Sequence, residues 1–184
     1  MSQEASEVSG RPPHLLTVVR VACPRRTVFH AGVLPLRDIN PTRRRPVVTW
    51  ALIALSAAVF AYELSLSAEA ATVMLTRYGV VPSVLTGGGL FLPRSEGGSL
   101  GALVTPITSM FLHAGGLHLL GNMWFLHVFG DNVEDELGRP QFLLFYLGAG
   151  FGAALFQVLV EPSSLIPMVG ASGAISGVLA AYVV

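Results

Sequence analysis

The sequence predicts an all-α protein, a polytopic bundle of membrane helices with about four spans in this chain. Three observations predict it. Hydrophobic residues make up 52% and charged residues only 12%, against about a quarter charged in an ordinary soluble protein. The apolar residues gather into runs of about 20, the length that crosses a hydrocarbon core of roughly 30 Å. Within lipid a backbone must bond to itself, and runs of this length do so as helices. At 184 residues the length suits one domain.

Charge divides the chain. Residues 1–46 carry eight arginines against Glu4, Glu7 and Asp38, a net +5, whereas 47–184 carry three arginines against eight acids, a net −5. A basic head on an apolar body fits a membrane protein with a cytoplasmic N-terminus. No aromatics interleave with the arginines, so nucleic-acid binding is not indicated. Lysine is absent, and Cys23 is the only cysteine. This leaves no internal disulfide and no cysteine-based zinc site.

Residues 1–46 read as a basic cytoplasmic tail, largely disordered, and 47–184 as the membrane domain. Within the tail, 1–32 have no helical or strand period and contain Pro12, Pro13 and Pro24; they are expected to lie outside the mature protein if translation starts later. Arg43, Arg44 and Arg45 precede the first apolar run, Val47 to Leu66, which Glu63 alone interrupts. The arginines set the N-terminus inside. A cleaved signal peptide ending at Ala68-Glu69-Ala70 is the rival reading, but the preceding region is far too long for one.

Residues 67–104 read as a long connection of the functional kind. A second span is expected at about 113–130, with the residues around Pro106 as a shallow approach to the membrane. A short polar turn, Asp131 to Arg139, follows. Pro140 opens the third span, 140–160, where proline is tolerated in the first turn. The fourth is expected to begin near Pro167 and to reach Val184 without a stop signal, so the bundle looks cut short. The cytoplasmic placing of 131–139 sits awkwardly with its four acids, although acids count little in the orientation rule.

Alternation of spans puts three polar residues at one depth. His118 and Ser172 each fall roughly 8 Å below the outer boundary, with Asn122 one turn deeper. His118 and Asn122, four apart, share a helix face, and Gly115 lies near that face and could admit another element. Polar side chains in a span tend to face the interior and often mark function. Histidine and asparagine also serve as interhelical glue, and Gly173 and Gly177 form a small-xxx-small packing pair. Convergence of three polar residues on one level favours a site.

A serine hydroxyl needs a base to become a nucleophile, and an acyl transfer needs donors aimed at the oxyanion. Asn122 offers an amide N–H, His118 a ring N–H, and the start of the fourth helix offers unpaired backbone N–H groups near Ser172. His118 could itself act as the base on chemistry alone. His127 points to the opposite face near the inner side and reads as a packing or headgroup residue. His113 and His118 stand about 140° apart round the helix and make no metal pair. No His-Glu-x-x-His occurs, which opposes a membrane zinc protease. Gly170-Ala-Ser-Gly173 lacks the second glycine of a soluble hydrolase elbow. Ser176, one turn deeper, is the runner-up hydroxyl.

His113-Ala-Gly-Gly-Leu-His118-Leu-Leu-Gly-Asn122, Asp131-Asn-Val-Glu-Asp-Glu-Leu-Gly138 and Gly170-Ala-Ser-Gly173 occur in this order. With the weaker echoes Leu34-Pro-Leu-Arg-Asp38 and Tyr78-Gly-Val-Val-Pro82, they make residues 33–184 resemble the rhomboid intramembrane serine proteases. The resemblance implies about four of six core transmembrane helices in this chain. It implies Ser172 as nucleophile, His118 and Asn122 as oxyanion stabilisers, and no metal or cofactor. It also implies a base histidine on a sixth helix, transmembrane protein substrates cut near the outer face of the bilayer, and residence in a bacterial-type plasma membrane. Without that helix the 184-residue chain alone is expected to be inactive. Two further departures are the missing Trp-Arg pair in 67–104 and Ser176, where some members have an aromatic. The non-enzyme alternative is an inactive rhomboid-like protein that binds transmembrane helices. A transporter would show discontinuous helices in repeated halves, and no repeat relates 47–110 to 111–184.

Overall fold

A computed structural model of the chain describes residues 42–86 and 104–184, all within the unit Gly32–Val184. The expectations for the tail 1–32 and for the glycine-rich 87–103 lie outside the described residues. Four helices carry the architecture, which is a helical membrane bundle: α1 (Val47–Ser65), α4 (Gly116–Leu137), α5 (Arg139–Val160) and α6 (Ser172–Val183). Two short helices, α2 (Ala68–Tyr78) and α3 (Pro82–Thr86), follow α1. Residues 104–108 are helical and run into a 3-10 turn, Ser109–Phe111. Among the described residues there is no strand, only an antiparallel bridge between Val80 and Met168.

By length and hydropathy α1 and α5 could each cross a membrane, and α6 is a shorter apolar helix of 12 residues. Leu117, Leu144, Phe156 and Leu159 point outward, each more than two-thirds exposed. A rim of large apolar side chains on this scale suits a lipid solvent. The inner faces meet around Leu126, Phe142, Tyr146, Ala171 and Val178, all fully buried. Small residues let α5 and α6 approach closely. A Cβ added at Gly173 would stand 2.5 Å from that of Ala153, and one at Gly177 would stand 2.5 Å from that of Ala149. The packing role expected for this glycine pair is therefore realised.

Three boundaries differ from the sequence reading, each for a tertiary reason. Residues 131–137 are not a turn but the last two turns of α4, which runs to Leu137 rather than 130. Two of its four acids, Glu134 and Asp135, bond to the start of α1 and the residues before it. The carboxylate of Glu134, 3% exposed, accepts N–H bonds from Val48 at 3.0 Å and Thr49 at 2.7 Å. Asp135 accepts those of Arg43 and Arg44 at 2.9 and 3.0 Å. A helix start has unpaired N–H groups and partial positive charge, so the awkward acidity of this segment is what α1 needs. The turn proper is Gly138, whose φ of +81° is glycine territory.

The second correction is that α6 begins at Ser172, not near Pro167. Residues 167–171 are held extended, with Met168 and Val80 exchanging N–H bonds at 2.7 and 3.1 Å. The third is that α4 starts at Gly116 rather than 113, and Gly115 admits no neighbour, since a Cβ there would meet nothing within 4 Å. The stretch 67–86 is also largely helical rather than a plain connection.

Candidate active site

Antiparallel packing sets the level of the site. The start of α1 meets the end of α4 through Thr49 and Glu134, and the other end of α1 meets the entry to α4 through Glu63 and His113. The first turns of α4 and α6 therefore lie at the end of the bundle opposite Arg43–Arg45. His118 is the third residue of α4, and Ser172 is the first of α6. Both lie nearer the helix starts than 8 Å of depth implies, yet they remain at a common level.

Gly170 brings them together. Its φ is +116°, a conformation side chains rarely adopt. A Cβ there would stand 2.6 Å from His118 Cε1, 2.7 Å from His118 Nε2 and 3.6 Å from Asn122 Nδ2. The imidazole and the carboxamide thus lie side by side against the backbone two residues before Ser172. Asn122, 8% exposed, donates one amide hydrogen to the His118 carbonyl at 3.0 Å. An amide carries two, so the second stays available. The loop itself is fixed: Gly170 N–H donates to the Ser109 carbonyl at 2.8 Å, and Ile175 N–H closes the first turn of α6 onto the Ala171 carbonyl at 2.9 Å. The N–H groups of Ser172 and Gly173, in that first turn, have no intrahelical acceptor.

Ser172 is exposed. It opens into a cavity of about 310 Å³ whose lining includes Ser109, Met110, Ala153, Gln157 and Ser176. Ser176, the runner-up, has its hydroxyl committed, donating to the Ser172 carbonyl at 2.8 Å. His127 lies away from this end, with its ring 5.0 Å from that of Trp50 near the start of α1. Helical spacing would put His113 about 140° round from His118, yet its ring meets that of His118 edge-on at 5.3 Å. Sequence reasoning missed that contact because His113 precedes the helix, where helical angles do not apply. Among the described residues no group of three potential ligands could hold a metal.

Comparison with known proteins points one way. The Rhomboid domain family matches residues 100–184. The chain is 45% identical over 74 residues to "Rhomboid-like protein 11, chloroplastic" of Arabidopsis thaliana, covering 40% of this chain and 26% of that one. It is 36% identical over 140 residues to "Putative rhomboid protease YdcA" of Bacillus subtilis, covering 76% and 62%. It is also 34% identical over 77 residues to "Inactive rhomboid protein 1" of Drosophila melanogaster, covering 42% and 5%. The chain thus spans about a quarter of the plant relative and under two-thirds of the bacterial one. No solved structure matches. With the bundle and the paired His118 and Asn122, the domain match over residues 100–184 and these relatives support a rhomboid-family protein.

Proposed function

We propose that the protein is an intramembrane serine endopeptidase that cuts membrane-anchored proteins near the outer face of the bilayer. Ser172 is its nucleophile, and His118 and Asn122 are its oxyanion donors. The observation that carries this reading is the seating of His118 Nε2 and Asn122 Nδ2 against Gly170, two residues before the serine. In the reaction Ser172 Oγ attacks the scissile carbonyl as a base removes its proton. The carbonyl oxygen gains charge and takes hydrogen bonds from His118, Asn122 and the N–H groups opening α6. His113, His118 and His127 are the histidines among the described residues, and none of the three is cast as the base. By the resemblance, the base belongs to a sixth helix. Arg43–Arg45 support a cytoplasmic N-terminus, and the plasma membrane is the location that the resemblance to bacterial members implies.

The test is cleavage of a membrane-tethered reporter in cells by the full-length protein, the sixth helix included. Ser172→Ala should abolish it while the protein stays in the membrane fraction, and His118→Ala should lower it by about 100-fold or more. Cleavage that persists in Ser172→Ala would overturn the assignment.

A second reading is an inactive rhomboid-like protein that binds transmembrane helices. The likeness to an inactive relative favours it. It predicts a reporter that copurifies with the protein uncut, equally with serine or alanine at 172.

A further inference from the structure

Glu63 has no part in the chemistry above, yet it is a carboxyl group 7% exposed in the last turn of a membrane helix. Burying such a group is costly unless it is bonded, so its partner is informative. Glu63 Oε1 accepts the backbone N–H of His113 at 3.4 Å. His113 is 2% exposed, and its Nδ1 lies 3.3 Å from the Phe111 carbonyl. A carbonyl can only accept, so that nitrogen carries the proton. The ring so fixed meets His118 edge to face, with centroids 5.3 Å apart and planes at 65°. The same His118 ring meets Gly170 through its Cε1 and Nε2 atoms.

We infer that Glu63 is a positioning residue, which holds His113 by its N–H so that the His113 ring braces His118 against the Gly170 loop. Its role is that of an acceptor rather than a charge. Removing it leaves a buried N–H unpaired and frees the segment between the 3-10 turn and α4. His118 then loses its contact with the His113 ring. The consequence for catalysis rests on the protease reading, whereas the consequence for the His118 ring does not.

The experiment compares Glu63→Ala and Glu63→Gln with the full-length parent protein in micelles, by NMR of ring-labelled histidine with His118→Ala as the assignment control, and by reporter kinetics in proteoliposomes. Glu63→Ala should shift the His118 ring resonances and lower kcat by about tenfold with KM within about twofold. Glu63→Gln, which keeps an acceptor oxygen, should restore both. His118 resonances that stay in place in a folded Glu63→Ala protein would overturn the inference, and so would a Gln variant that behaves as Ala. If the parent protein cuts no reporter, the protease reading fails while the resonances still decide this inference.

Discussion

Glu134 closes the N-terminus of the helix that begins 87 residues before it, taking both the N–H of Thr49 at 2.7 Å and its hydroxyl at 2.8 Å. A third bond, from Val48 N–H at 3.0 Å, completes the cap. The cap ties α4 to α1 at the end opposite Ser172, so it should govern stability and leave the chemistry alone.

Glu134→Ala strands a buried N–H, a part-buried N–H and a buried hydroxyl, and should lower stability by about 2–4 kcal/mol. Thr49→Val removes only the hydroxyl bond and should lower it by about 1 kcal/mol. Thermal unfolding in detergent measures both. Equal effects would mean that the backbone bonds contribute nothing beyond the hydroxyl.

This cap also explains which parts of the fold were legible. Apolar length placed α1 and α5 to within a residue, because lipid-facing helices are specified by their own composition. The end of α4 was not legible. Its acids read as a turn, and only their partners on α1, more than 80 residues away, make them compatible with helix. The start of α6 was missed for a similar reason. Residues 167–171 are apolar enough to pass for helix, but pairing of Met168 with Val80 and the left-handed Gly170 hold them extended. The common level of His118, Asn122 and the serine loop was legible from alternation, whereas their approach at Gly170 was not. The bracing by His113 and Glu63 was not, since it depends on the geometry of the non-helical turn before α4.

Gly170→Ala tests the loop. A methyl group there would overlap His118 at 2.6–2.7 Å and strain a φ of +116°. His118 must move, and displacement of about 1 Å at a reacting centre can cost about 100-fold. Reporter cleavage should fall by that order with protein level maintained. Cleavage within threefold of the parent would show that His118 does not need the loop.

Ser176→Ala removes a hydroxyl already bonded to the carbonyl four residues back, a bond that slightly disfavours a straight helix. Cleavage should stay within about twofold of the parent, with stability unchanged or slightly raised. If instead it abolishes cleavage while Ser172→Ala does not, the nucleophile is the deeper hydroxyl.

The α5–α6 seam separates glycines that pack from glycines that do not. Gly177→Val would press a branched side chain onto Ala149, whose Cβ lies 2.5 Å from the site of the first added carbon. Overpacking of this kind costs about 1–3 kcal/mol, read as a fall in unfolding temperature. Gly148, one residue before Ala149 on the same helix, has nothing within 4 Å of an added Cβ. Gly148→Ala should therefore raise stability, by about 0.5–1 kcal/mol from helix propensity. Opposite signs at these two positions are the expected outcome. A destabilised Gly148→Ala would mean that the outer face of α5 meets a partner there instead of lipid.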